Sequence, residues 1–149
     1  MGRQLWGKTA GALVLAVTVA AVSGCGSSSD EDDSKPAAKE VGIGEATTKF
    51  QTAVTKFDED GGCPEKEPGT CWDQMQALMG PARTLRKAMN AHKGTGPGFW
   101  SDAYALIDKM EKGMAVGEDQ GAEALTTNRP VVFGTAHVLS RWLDAHPVS

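Results

Sequence analysis

Apolar residues recur at steps of three and four along most of the chain beyond residue 42, a spacing that predicts helices. Ile43, Ala46, Phe50, Ala53 and Phe57 form one stripe, with Lys49 and Lys56 kept off it. A second stripe runs through Cys71, Met75, Leu78, Ala82, Leu85, Met89 and His92. Gly80-Pro81 falls inside it, so either one helix kinks there or a short helix ends and another begins with Pro in its first turn. Thr70 followed by Asp73 makes a weak capping box before this stretch. The third stripe carries Trp100, Ala103, Ile107, Met110 and Met114, widened by Tyr104 and Leu106. Gly94-Thr95-Gly96-Pro97-Gly98 breaks the chain before it, and Gly117 is placed to stop it. The fourth holds Val132, Ala136, Leu139, Leu143 and His146, with Trp142 beside them, Thr127 or Asn128 as cap and Pro130 in the first turn. Val131-Val132 and Gly134 are poor helix formers, but a strand there would have no partner. Between Glu118 and Leu125 the pattern admits a short helical turn. With no period-two run and no hairpin dipeptide elsewhere, the expected fold class is all-α, an antiparallel bundle of about four helices over residues 43–149.

The chain upstream of the bundle has a different grammar. Arg3 and Lys8 precede an uncharged run of 14 small and apolar residues, Thr9 to Val22. That run is too short to span a bilayer, which takes ~20 apolar residues, and it matches a secretory signal peptide. Its end, Val22-Ser23-Gly24-Cys25, resembles the lipobox of bacterial lipoproteins: an aliphatic residue, two small residues, then Cys. The Ala- and Gly-rich, Ile-poor composition is similar to that of actinobacterial lipoproteins, although no named functional family attaches to the body. The resemblance implies cleavage before Cys25 and transfer of a diacylglyceryl group, with palmitate-type chains, to its thiol. It implies anchoring on the extracytoplasmic face of the cell membrane. The chain then divides into a signal peptide (1–24), a lipidated Cys with a flexible acidic tether (25–42) and the helical-bundle domain (43–149). The tether has Gly26-Ser27-Ser28-Ser29 and the acidic run Asp30-Glu31-Asp32-Asp33 but no bulky apolar group before Val41, so it cannot repay its ordering entropy. Eighteen such residues reach roughly 20–25 Å.

Charge narrows the partners. The 149-residue chain carries 15 Lys+Arg against 19 Asp+Glu, a net charge of −4. Removal of the leader takes away two bases and no acid, leaving −6 on 125 residues. This acidic balance argues against nucleic acid as a partner and against adhesion to anionic headgroups, so the acyl chains would do the holding.

With Cys25 assigned to lipid, Cys63 and Cys71 remain, flanking the turn-rich loop Pro64-Glu65-Lys66-Glu67-Pro68-Gly69-Thr70. In an oxidising compartment they predict a structural disulfide, because zinc, thioredoxin-like and haem sites call for a Cys-x-x-Cys spacing that is absent. His92, His137 and His146 stand in none of the metal-binding spacings. His92 and His146 close apolar stripes, where an imidazolium suits a helix C-terminus. No nucleophile elbow or phosphate loop occurs, and Asp58-Glu59-Asp60 lacks the spaced oxygens of a calcium loop. These absences favour a protein that is not an enzyme and needs no cofactor. The pairs Met75/Met79 and Met110/Met114 each set two thioethers one turn apart, an alternative Cu(I) site, although only Met79 lies off a core stripe. Arg129 opens the last helix, where the dipole disfavours a cation, so it calls for another partner: an acidic residue such as Asp119, or an anionic ligand. Trp72, Trp100 and Trp142 near Arg129, at one end of the bundle, would then form a ligand-binding patch. The expectation is a non-catalytic binding or interaction module of the cell envelope, facing an envelope protein or a small ligand. The alternatives are a Cu(I)-binding protein and an envelope enzyme.

Overall fold

The computed structural model describes residues 40–96, 98–123 and 126–148. The leader, Cys25 and all but the last residues of the tether lie outside them. The body is all-helical: α1 (Ile43–Glu59), α2 (Trp72–Ala91), α3 (Ser101–Ala115), a π-helical turn (Pro130–Gly134) and α4 (Thr135–Ala145). Each helix packs on its neighbour in sequence, and α1 closes on α4, which makes a four-helix bundle. The antiparallel sense follows from two contacts between α1 and α4. Asp58 near the end of α1 meets His137 near the start of α4 at 2.8 Å. Farther back, Gln51 at the middle of α1 donates to Asp144 near the end of α4 at 2.6 Å.

The stripes become the core with small shifts of register. On α1 the fully inward residues are Ala46, Phe50 and Val54, while Ile43, Ala53 and Phe57 flank the seam. On α2, Met75, Leu78, Ala82, Leu85 and Met89 are buried as expected, and Met79, off the stripe, is buried with them. One continuous α2 passes through Pro81. Proline lacks the N–H that would bond the Ala77 carbonyl, but the exposed side of a helix tolerates that loss because water reaches the carbonyl. α3 makes a close approach to the segment before α4: a Cβ on Gly113 would sit 2.8 Å from Cγ2 of Val132. Only glycine lets α3 lie this near the π-helical turn.

Three local expectations are corrected. Thr70 does not cap α2; its hydroxyl donates to the Glu67 carbonyl at 2.8 Å. Asn128 does not cap the last helix but spans the loop after α3. Residues 118–123 form no helical turn, because Asp119 and its neighbours are drawn into a polar network. α3 does end just before Gly117.

Candidate functional site

The two ends of the bundle hold different chemistry. At the end where α1 finishes and α2 begins, Cys63 and Cys71 are joined, with Cα atoms 5.9 Å apart. Closing a loop of this size restricts the unfolded chain by ~2–3 kcal/mol. The loop they close carries three of the acceptors for the Arg129 guanidinium, and Asp119 supplies the rest. Arg129 Nε donates to Asp119 Oδ1 at 2.5 Å, and Nη2 donates to Asp119 Oδ2 at 2.6 Å. Nη2 also reaches the Glu67 carbonyl at 2.7 Å and Thr70 Oγ1 at 2.9 Å, and Nη1 donates to the Glu65 carbonyl. Arg129 is 4% exposed and Asp119 2%.

Asp119 is held from the other side as well. Its Oδ2 accepts from the Cys71 backbone N–H at 2.9 Å, and Oδ1 accepts from the Gly121 N–H at 3.0 Å. The Arg129 guanidinium outweighs the desolvation of the carboxyl and, with these two N–H donors, holds it down at about 2. Gly121 lies at φ +79°, and a Cβ there would meet the Lys66 carbonyl oxygen at 2.6 Å. That contact seats the loop after α3 against the disulfide loop, where the Ala122 N–H bonds the same carbonyl at 3.0 Å. Asn128 completes the network by accepting from Gln120 N–H at 3.0 Å and donating to the Glu118 carbonyl at 3.1 Å.

This network answers the question that Arg129 raised, in favour of the acidic partner. All three guanidinium nitrogens are occupied and buried, which removes Arg129 from the ligand-binding set. Nor do the three tryptophans gather around it. Trp72 opens α2 at the Arg129 end, while Trp100 and Trp142 stand at the opposite end, about 20 Å from Arg129 at 1.5 Å of rise per helical residue.

That opposite end, where the tether enters α1, is an aromatic cluster. Trp100 (4% exposed) and the half-buried Trp142 have ring centroids 5.9 Å apart. Phe99 meets Trp100 edge-on at 4.7 Å and Trp142 at 5.8 Å. His92, following α2, stands edge-on to Trp100 at 6.2 Å. His146, following α4, lies flat on Trp142 at 4.1 Å, with Nδ1 donating to the Trp142 carbonyl at 2.8 Å. The Nε1–H groups of both tryptophans are buried without a hydrogen-bond partner among the described residues. The hydroxyls of Thr95 and Thr47, at the same end, are in the same condition.

The remaining candidates are structural. Met75, Met79 and Met110 are fully buried in the core and Met114 is half-buried beside it, so the four thioethers that define the copper alternative serve as packing. Glu65 lies near Cys63 and Cys71, but sulfurs bonded to each other offer no thiolate to a metal. His137 ties α4 to α1: Nε2 bonds Asp58 at 2.8 Å and Nδ1 the Phe133 carbonyl at 2.7 Å. Burial disfavours its charge, yet the two acceptors prevail and raise it above the ordinary imidazole value. No helix among the described residues is long and apolar enough to cross a membrane. No protein-family model matches the chain, and neither does any curated protein or solved structure.

Proposed function

We propose that the chain is a lipid-anchored, extracytoplasmic binding module whose recognition face is the aromatic end of the bundle. The observation that carries this reading is the pair of buried indole donors, Trp100 and Trp142, left without acceptors, with the exposed His146 stacked on Trp142. A buried N–H without a partner costs ~1–3 kcal/mol, so an acceptor supplied from outside recovers that free energy. His146 follows the last helix and is exposed, so it is cheap to swing off Trp142. A flat ligand bearing carbonyl or hydroxyl oxygens then gains both the ring face and the N–H. Anchoring rests on the resemblance of residues 22–25 to a lipobox, and the tether delivers the chain to this same end of the body.

A binding role rather than catalysis is favoured by how the polar groups are spent. Arg129, Asp119 and Asn128 bond one another's loops, both nitrogens of His137 are occupied, and no histidine among the described residues bonds a hydroxyl or thiol nucleophile.

Two measurements test the proposal. Cys25→Ser abolishes membrane fractionation or leaves an uncleaved precursor by mass; unchanged fractionation and mass overturn the anchor. For the binding face, soluble muropeptides are titrated while the indole Nε1–H resonances are followed. Saturable shifts of Trp100 and Trp142 support the site. Cleavage of the muropeptide that is lost in His137→Ala replaces the binding reading with a catalytic one.

A further inference from the structure

A cavity of about 270 Å³ lies between α1 and α2, near the disulfide end and apart from the aromatic cluster. Its walls are Ala53 and Phe57 on α1 and Ala77 and Leu78 on α2. Two alanines, one from each helix, leave room that longer side chains would fill. Phe57 is fixed as a wall by stacking on Phe133, with centroids 4.5 Å apart. Three polar side chains complete the lining: Lys56, Asp60 and Gln74. The Gln74 Oε1 is out of solvent and has no hydrogen-bond partner among the described residues.

From this combination we infer that the cavity takes a small primary ammonium with a compact apolar body. Each part of the lining selects for one part of such a ligand. The walls of Ala53, Phe57, Ala77 and Leu78 accept a hydrocarbon body but hold no charge. The Asp60 carboxylate carries the opposite charge and is already occupied by an ammonium, Lys56 Nζ at 2.8 and 3.1 Å. That pair is exposed and spans one helical turn, so exchanging Lys56 for an incoming ammonium costs little. Gln74 has an acceptor to spare, and a turn of its amide toward the cavity lets it receive a second N–H. An anion finds Lys56 alone as a counter-charge, is repelled by Asp60 and brings no N–H to the Gln74 Oε1. The volume suits a body of roughly six to ten non-hydrogen atoms. This inference is independent of the lipid anchor and of the aromatic end.

The test titrates phenethylammonium into 15N-labelled protein and follows the Gln74 side-chain amide and the Ala53 and Ala77 backbone amides. The expected result is saturable shifts at these groups, with 2-phenylethanol binding about tenfold more weakly and 3-phenylpropanoate giving no saturable shift below ~10 mM. Asp60→Asn should weaken the ammonium about tenfold, and Ala77→Leu, which fills the cavity from an exposed position, should abolish binding while leaving the circular dichroism spectrum unchanged. Shifts at Trp100 and Trp142 instead would assign the amine to the aromatic end and overturn the inference. So would equal binding of the carboxylate, binding that survives Ala77→Leu, or no shift up to ~10 mM.

Discussion

At the Arg129 end of the bundle a buried ion pair has every nitrogen and oxygen bonded, whereas at the other end two buried indoles have no partner. At the Arg129 end, a fork of N–H donors meets a carboxylate, two carbonyls and a hydroxyl, and the partners come from the disulfide loop and the loop after α3. At the tether end, rings from the termini of α2, α3 and α4 pack together while two indole N–H groups stay unpaired. The same physical cost, desolvating a polar group, is cancelled internally for the Arg129–Asp119 pair and left standing for the two indoles, as it also is for the Thr127 hydroxyl and Gln74 Oε1 near the closed end. A closed network fixes loops; an open one retains free energy that a ligand can release. This is why we place rigidity at the first end and recognition at the second.

The sharpest way to break the contrast is to open the closed end. Arg129→Ala strands the Asp119 carboxylate in a buried site, and the expected loss in urea unfolding is ~3–5 kcal/mol. Arg129→Ala/Asp119→Ala should recover part of that loss, because no charge is then left unpaired; strict additivity of the two single changes would show that they do not act as a pair. Acid makes the same cut without mutation. The Asp119 carboxyl falls from 3.8 to about 2 on folding, so its contribution is complete above the unfolded value and is lost as pH falls through about 2. A shift of this size corresponds to ~2–3 kcal/mol. The measurement is urea midpoint against pH between roughly 5 and 2, where a flat profile would refute the linkage.

How much of this contrast the sequence carries depends on which groups make it. The stripes on α2 and α3 are legible because Leu, Met and Ile recur at the helical period, and the pairing of Arg129 with Asp119 is legible because a cation at a helix start needs an explanation. The Glu65 and Glu67 carbonyls are not legible, since every residue has a carbonyl and sequence does not single out those turned toward Arg129. Register is also soft where small and large apolar residues adjoin, so Val54 rather than Ala53 faces inward on α1. The π-helical turn escapes because Pro130 reads as an ordinary helix start. The aromatic end needed one more step than the pattern alone supplies. In an antiparallel bundle the start of the third helix and the end of the fourth share an end, which unites Trp100 with Trp142 and separates both from Trp72 and Arg129.

The open end makes a smaller, opposite prediction. Trp142→Phe keeps an aromatic ring in the cluster and deletes one unpaired N–H. Removing a buried donor that has no acceptor should cost no more than ~1 kcal/mol, the lost ring volume being offset by the donor's desolvation. The melting temperature therefore stays near that of the parent, while the muropeptide response of the indole resonances weakens. A large loss of stability with unchanged response would reverse the roles assigned to the two ends.

The smallest expected effect lies at the seam between α1 and α4, where His137 joins Asp58. As an imidazolium it donates from Nδ1 to the Phe133 carbonyl and from Nε2 to the carboxylate, so both N–H groups are satisfied. As a neutral ring it keeps one N–H, and the other nitrogen must turn a lone pair toward an acceptor. Arg141, on the same helix, opposes the charge but does not cancel the two acceptors. The folded value is thus raised above the ordinary 6.5. A raised imidazole stabilises fully below its unfolded value and loses that contribution as pH climbs through the folded one. Both side chains are partly exposed, so solvent screening keeps the effect to a fraction of a kcal/mol, ~1 at most. Thermal unfolding should therefore show a shallow decline in stability above about pH 6.5 that is missing in His137→Gln, which retains an N–H donor but does not titrate. A decline of equal size in that variant would trace the pH response to a different group.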